Sequence, residues 1–157
     1  MDSSLTLLTE TGHYKCKVSS TLNKSSEYAS KHMFDGTDIT CWNSDQGSPQ
    51  FVVLDFTRRV IPRKVLIQFQ GGFTCDNCTI ELGLEFPHLD KTLKRFHPDN
   101  GNTLQEVDFL IDSDGDTDAT FNNHECRYCK ITFPHSTDFY GRITIYKLEI
   151  YGSVVET

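Results

Sequence analysis

The turn that follows Phe34 is the first segment of this chain whose residue types could do chemistry. Asp35, Asp38 and Thr40 place two carboxylates and a hydroxyl within six residues, and Asp35-Gly36 is a dipeptide typical of turns. Hard cations such as calcium take oxygen ligands of this kind. The alternative that stays open is that Asp35 accepts hydrogen bonds from backbone amides and only stabilises the turn.

A second acidic segment, residues 112–125, has nearly the spacing of an EF-hand calcium loop. Carboxylates stand at positions 1, 3, 5 and 12 of such a loop: Asp114, Asp116, Asp118 and Glu125. Position 6, where the loop needs glycine for its sharp turn, is Ala119, and the flanking patterns are those of strands rather than helices. An acidic connection between two strands is therefore the favoured interpretation, with a calcium loop as the alternative.

Two C-x-x-C motifs offer four thiolates, which could close a tetrahedral zinc site: Cys75, Cys78, Cys126 and Cys129. The local pattern argues against this. If residues 127–133 form a strand, Cys126 and Cys129 point to opposite faces, and Cys129 falls in line with Ile131 as a core residue. Buried free thiols are favoured over zinc, and Cys16 and Cys41 are interpreted as core thiols too.

Catalytic signatures are missing from the sequence. The six histidines are scattered, and neither a Gly-x-Ser-x-Gly elbow nor a phosphate-binding glycine loop occurs. We therefore expect a protein that is not an enzyme and that needs no organic cofactor.

Charge and hydropathy narrow the classes of partner. The formal net charge is −7, and no Lys/Arg cluster is longer than two residues, so a basic face for nucleic acid is not expected. No apolar run approaches the roughly 20 residues of a membrane span. Residues 1–10 lack the basic start and apolar segment of a signal peptide. We expect a protein of the nucleus and cytoplasm that is not secreted and binds neither nucleic acid nor membrane.

The elements that must position these residues are predicted to be strands. Alternating apolar residues indicate strands at 51–56, 64–70 and 128–133, and weaker patterns indicate others at 79–84, 92–96, 106–110 and 143–151. In the last of these the apolar phase changes between Ile145 and Leu148, which predicts a bulge or a break. Many short strands and no long helix indicate an all-β, antiparallel sandwich.

Loops of a sandwich gather at its two ends, where binding residues are common. Three polar or glycine-containing loops could meet at one end: 43–46, 71–73 and 137–142. Their candidate partner-binding residues are Asn43, Asp45, Gln46, Phe73, Asp138 and Arg142. Hydrogen-bonding groups beside flat apolar rings suit a protein or sugar surface. The alternative for Phe139 and Gly141 is that they belong to a tight structural corner.

The order of residues from Phe34-Asp35-Gly36 through Thr40-Cys41-Trp42 to a strand ending in Asp55-Phe56 resembles the opening of a discoidin (coagulation factor 5/8 type C, galactose-binding-like) domain. The resemblance covers about residues 17–152 and implies a single jelly-roll-like domain over 1–157 with a short N-terminus. It also implies one structural calcium, held by Asp35, Asp38 and Thr40 with Glu149 approaching from the C-terminal strand.

The segments 41–47, 68–73 and 137–142 extend the resemblance to small intracellular members of that family. This implies a protein-interaction module, an adaptor that contacts a nuclear receptor and represses its transcriptional activity. The alternative is a carbohydrate-binding module of the galactose-binding type, whose ligand stacks on an aromatic ring. The expected absence of secretion favours the protein partner.

Overall fold

The computed structural model describes residues 5–109 and 125–156, which form an antiparallel β-sandwich. Its strands are β1 (Thr6–Leu7), β2 (Lys15–Val18), β3 (Trp42–Asn43), β4 (Gln50–Phe69), β5 (Cys78–Gly83), β6 (Lys91–Phe96), β7 (Leu104–Asp108), β8 (Cys126–Phe133) and β9 (Thr144–Val154). The segment between β2 and β3 contains three short 3-10 helices: Leu22–Lys24, Ser26–Tyr28 and Ser30–Met33. Within the described ranges, no helix is long and apolar enough to cross a membrane.

Strand β4 belongs to both layers of the sandwich. Its first half, Gln50 to Asp55, lies between β2 and β8, and β8 continues through β5 to β6. Its second half pairs with β9 and β7, and β9 pairs in turn with β1 and β3. Between the halves the register shifts and Thr57 has a φ of 63°. The chain thus bends from one layer into the other at Thr57 within one continuous strand assignment.

Large apolar side chains fill the space between the layers. Trp42 is fully buried, and its indole donates a hydrogen bond to the Ser20 carbonyl (2.9 Å). The Phe133 ring from the first layer lies 6.4 Å from Trp42 and meets Phe69 of the second layer edge to face at 6.0 Å. Aromatic pairs of this kind stabilise the fold by more than the burial of their apolar area alone. These core contacts therefore connect β3, β4 and β8, the strands that adjoin the loops 43–46, 71–73 and 137–142.

The predicted strands other than those at 51–56 and 64–70 are confirmed, with small shifts at their ends. The predicted phase change in the last strand is a bulge, because Gln68 pairs with Lys147 while Phe69 pairs with Ile145, and Tyr146 is skipped. The prediction of two separate strands at 51–56 and 64–70 is wrong, since both lie in the continuous β4. Alternation marks where side chains face, and it cannot distinguish a bent strand from an interrupted one.

Candidate functional site

Three loops converge at one end of the sandwich: residues 43–49, 70–77 and 134–142, called the rim loops below. The first and third are joined by the Gly47 amide, which donates to the Tyr140 carbonyl (2.8 Å), and by reciprocal bonds between Ser44 and Ile143. The second and third are joined by the Thr137 amide, which donates to the Thr74 carbonyl (2.7 Å). The three loops that the sequence singled out therefore form one surface.

A closed turn in the third rim loop holds Arg142. The Asp138 carboxylate accepts from the backbone N–H groups of Tyr140 (3.2 Å) and Arg142 (3.1 Å), and from two nitrogens of the Arg142 guanidinium (2.9 and 3.1 Å). The guanidinium is the largest cause of a lowered pKa at Asp138, and it outweighs the opposing effect of burial. This two-point pairing fixes the plane of the arginine.

The fixed arginine brings aromatic rings from two rim loops together. Its guanidinium carbon lies 5.2 Å from the centre of the Phe73 ring and 5.6 Å from that of Tyr140. Phe139 packs edge to face against Tyr140 at 5.2 Å but is 92% exposed. We call Phe73, Phe139, Tyr140 and Arg142 the rim platform. The backbone of Phe139 lies in the tight turn that the Gly141 amide closes on the Asp138 carbonyl (3.1 Å), as the structural-corner alternative proposed, while its ring is exposed.

Gly141 does belong to a structural corner. Its φ is +87°, and a Cβ placed there would lie 2.6 Å from the Gly47 carbonyl oxygen of the first rim loop. Only glycine fits so close an approach at positive φ. The crossing of these two loops is therefore fixed by backbone against backbone.

Gln50, which the sequence analysis passed over, organises the first rim loop. This buried side chain donates to the carbonyls of Gly47 (2.8 Å) and Asp45 (3.2 Å), and its oxygen accepts from the hydroxyls of Ser19 and Ser20. A buried glutamine must find such partners. In the sequence, the position of Gln50 at the start of an apolar strand is the one feature that could have indicated this role.

The predicted binding residues of the first rim loop differ in exposure. Asp45 and Gln46 are exposed, and the Gln46 amide donates to the Asp45 carboxylate (3.0 Å). Asn43 is half-buried, and its side-chain oxygen has no hydrogen-bond partner within the described parts of the chain. Asp45 and Gln46 can therefore meet a partner directly, whereas Asn43 lies deeper.

Two asparagines that the sequence did not flag support the second rim loop. Asn100 accepts from the Gly72 amide (2.8 Å) and from the Thr74 hydroxyl (3.2 Å). Asn102 accepts from the Gly71 amide (2.6 Å), and its own carbonyl accepts from Gln68 (2.9 Å). The loop that carries Phe73 is thus held from the segment between β6 and β7.

The Asp35 turn is a second oxygen-rich cluster. Asp35 accepts from the Thr37 amide (3.1 Å), from the Thr37 hydroxyl (3.2 Å) and from Thr40, and His32 lies 3.5 Å away. Burial opposes ionisation, but the hydrogen bonds outweigh it and hold the pKa of Asp35 below its usual range. The turn-stabilising role weighed from the sequence is present in the structure.

The chemistry of this turn fits a calcium ion in part. Asp35 and Glu149 line the same cleft, of about 250 Å³, as the resemblance implied. Lys147 also lines it, and an ammonium group disfavours a cation. Neither Asp38, which is exposed, nor Thr40 is among the lining residues. Across residues 5–109 and 125–156, no three His, Cys, Asp or Glu side chains are grouped as a metal site. The predicted calcium stays a prediction, with Asp35, Asp38, Thr40 and Glu149 as the residues to test.

The four cysteines of the zinc hypothesis fall into two environments. All four are buried, with Cys75 and Cys78 in one turn and Cys126 and Cys129 within β8. Cys16 is partly buried and packs against the hydrophobic core, in agreement with its expected role as a core thiol. Cys41 is also partly buried, but it lies in the loop before β3 and is not among the described residues that pack against the core, so the expectation is wrong for Cys41.

Most of the EF-hand-like segment lies outside the described residues, including Asp114, Asp116 and Asp118. Its last acidic residue, Glu125, directly precedes β8 and lies 3.6 Å from the Arg59 guanidinium. Both side chains are largely exposed, so this ion pair contributes little to stability.

Comparison with known proteins places the chain among relatives of one name. It is 38% identical to the nuclear receptor 2C2-associated protein of Xenopus tropicalis over 137 residues, covering 87% of this chain and 91% of the relative. For the protein of that name from Homo sapiens the identity is 37% over 140 residues, with 88% and 91% covered. No protein-family model matches the chain.

Solved structures with the same fold are galactose-binding-like sandwiches. A chitosan-binding module from a Paenibacillus sp. IK-5 chitosanase/glucanase superposes with a TM-score of 0.71 at 16% identity, covering 94% of this chain and 99% of that one. The family 32 carbohydrate-binding module of C. perfringens NanJ, solved with galactose, gives 0.70 at 13% identity, with 94% and 98% covered. The predicted all-β discoidin-type fold is confirmed.

Proposed function

The chain belongs to the nuclear receptor 2C2-associated protein family, and on this premise we propose that it is a non-enzymatic adaptor that binds a nuclear receptor through the rim platform. The name of the relatives supports a receptor of the 2C2 type as partner. The proposal includes repression of the receptor's transcriptional activity, and residence in nucleus and cytoplasm.

The rim platform is the observation that carries the proposal. Phe139 is 92% exposed and Tyr140 is 56% exposed, although both could bury large apolar area against a partner. Arg142 is held in place before binding, so little of its conformational freedom remains to be lost. Aromatic residues and arginine are the types that dominate binding energy at protein interfaces.

The surroundings of the platform suit a protein surface. Asp45 and Gln46 are exposed on the adjacent rim loop and can form a polar border. Asp138 neutralises the charge of Arg142, so the centre of the surface can be desolvated without an unpaired charge. An apolar centre with a polar border is the usual anatomy of an interface.

Calorimetric titration of the purified chain with purified nuclear receptor 2C2 tests the proposal. Phe139→Ala should weaken binding by about tenfold or more, which corresponds to roughly 1.4 kcal/mol. The matched control is Phe86→Ala. Phe86 is 46% exposed and follows β5, at the end of that strand away from the rim loops. This variant should bind as the wild type does.

Equal affinity of the wild type and the Phe139→Ala variant would reject the platform as the binding surface. Loss of binding in both variants would also reject it, because the effect would then not be specific to the rim. A thermal melt of each variant separates a binding defect from unfolding.

A carbohydrate ligand is the second candidate, and the solved complex of a similar module with galactose favours it. An arginine beside exposed aromatic rings can both stack against a sugar and donate hydrogen bonds to it. Saturable binding on a glycan array that disappears in Arg142→Ala or Phe73→Ala would rank this candidate above the receptor. An array without saturable binding would leave the receptor as the sole candidate.

A further inference from the structure

Cys75 lies in the second rim loop, and Cys78, three residues later, is the first residue of β5. Cys75 forms an isolated bridge with Ser136 of the third rim loop. The Cys78 thiol donates to the Cys75 backbone carbonyl oxygen (3.7 Å). The bend at residues 76–77 therefore folds the Cys78 side chain back against the backbone of Cys75.

The turn stabilises a negative charge on Cys75. The hydrogen bond from Cys78 is the largest cause of a pKa of Cys75 lowered to about 6, and it outweighs burial. The backbone N–H groups of Asn77 and His135 act in the same direction. The Cys75 thiol donates to the Asn77 carbonyl oxygen (3.4 Å). Cys78 has a raised pKa, first because it is buried and then because it donates to Cys75.

The other four thiols lack this environment. Burial is the first cause of a pKa raised to about 12 at Cys16 and at Cys126, and of the raised values at Cys41 and Cys129. Cys126 and Cys129 have the same C-x-x-C spacing as the first pair but lie in the strand β8. The second pair thus serves as an internal control for the first.

We propose that Cys75 and Cys78 are an oxidisable dithiol, in which Cys75 is the attacking sulfur and Cys78 the resolving one. With a hydroperoxide as oxidant, the Cys75 thiolate attacks the O–O bond, forms a sulfenic acid and releases hydroxide, or an alkoxide from an organic peroxide. Cys78 then attacks the oxidised sulfur, a disulfide forms, and the sulfenic oxygen leaves with the Cys78 proton as water. Two thiols are oxidised for each peroxide reduced.

Access of the oxidant requires only a local opening. Both cysteines are buried, but Asp76 and Asn77 between them are exposed. Hydrogen peroxide is small enough to reach Cys75 when this one turn loosens, without displacement of the core strands. The proposal does not depend on the identity of the partner that the rim binds.

Differential alkylation of the native chain with hydrogen peroxide as the probe tests this proposal. After timed exposure and quenching, the protein is unfolded and the remaining thiols are alkylated. The protein is then digested, and the masses of the peptides are measured by mass spectrometry. Thiols at Cys75 and Cys78 should disappear together as a disulfide, at least about tenfold faster than those of Cys126 and Cys129. The rate should rise as pH passes through about 6.

Two serine variants assign the roles of the sulfurs. In Cys78→Ser the reaction should stop at a sulfenic acid on Cys75, which a cyclic diketone probe captures. In Cys75→Ser no sulfenic acid should form at Cys78. Equal oxidation of the two C-x-x-C pairs, survival of both thiols in the wild type, or capture of sulfenic acid at Cys78 would overturn the proposal. The wild-type comparison holds even if a serine variant fails to fold.

Discussion

The turns at Asp138 and Asp35 are stabilised by the same type of hydrogen bond, but they differ in net charge. Each has an aspartate whose carboxylate accepts a hydrogen bond from a backbone amide further along the turn. At Asp138 the other donor is the Arg142 guanidinium, which neutralises the carboxylate. At Asp35 the hydroxyl donors, such as that of Thr40, carry no charge. The charge of the side chain that donates to the aspartate therefore determines the charge of the turn. A guanidinium donor makes the turn neutral, whereas hydroxyl donors leave it negatively charged.

The glycines of the two turns give the largest expected contrast. Gly141 and Gly36 have similar φ values, +87° and +78°, but a Cβ at Gly141 meets the Gly47 backbone at 2.6 Å, while one at Gly36 meets nothing within 4 Å. Gly141→Ala should cost about 2 to 4 kcal/mol of unfolding free energy, because strain and clash add. Gly36→Ala should cost only about 1 kcal/mol.

Urea denaturation of both variants measures this difference. A Gly141→Ala variant as stable as Gly36→Ala would show that the first and third rim loops can separate freely. The rim platform would then not be fixed before binding, and the entropic argument for it would fail.

The predicted calcium gives the next contrast. A calcium ion at the Asp35 turn should stabilise the folded chain by about 2.7 kcal/mol when its concentration is 100 times its dissociation constant. Asp35→Ala should abolish the stabilisation, and Asp138→Ala should retain it, because Arg142 already neutralises that carboxylate. Thermal melts with calcium and with chelator measure both.

Calcium stabilisation that persists in Asp35→Ala would place the ion elsewhere. No calcium effect on the wild type would mean that Lys147 is a sufficient counter-charge in the cleft and that the turn is held by hydrogen bonds alone.

The strands could be predicted because alternation is local, whereas the supports of the rim could not. Val52 and Leu54 reveal their buried face by spacing alone, and both are fully buried. Gln50, by contrast, bonds to the hydroxyls of Ser19 and Ser20, about thirty positions away in the sequence. No period or motif marks such a pairing before the fold brings the segments together.

The convergence of the three loops was predicted as a possibility from the sequence, but the pairing of their side chains was not. Asp138 and Arg142 were chosen as separate hydrogen-bonding groups, and the structure joins them in one ion pair. The strand pattern predicts opposite faces for Cys126 and Cys129, but the spacing alone does not predict that the Cys78 thiol donates to the Cys75 carbonyl. The same C-x-x-C spacing gives different results in a strand and in a turn, because the backbone sets where the side chains point.

The smallest expected effect concerns the pH dependence of the Asp138 turn. Because Arg142 lowers the pKa of Asp138 in the folded chain, the pair stabilises fully above the unfolded value of about 3.9, and the stabilisation is lost as pH falls through the folded pKa. Asp138→Asn should therefore cost about 0.5 to 1 kcal/mol near neutral pH and less as the pH approaches 2.

Added salt should change the stability cost of a substitution at Asp138 more than that of a substitution at Asp35. In about 1 M salt, where the screening length is roughly 3 Å, the cost of Asp138→Asn should shrink because its partner is charged. The cost of Asp35→Asn should change less, since neutral hydroxyls supply its main hydrogen bonds. Urea midpoints of both variants against the wild type, at low and high salt, give the comparison. Equal salt sensitivity would mean that His32, rather than Thr37 and Thr40, dominates at Asp35, and the contrast between a neutralised and a charged turn would be lost.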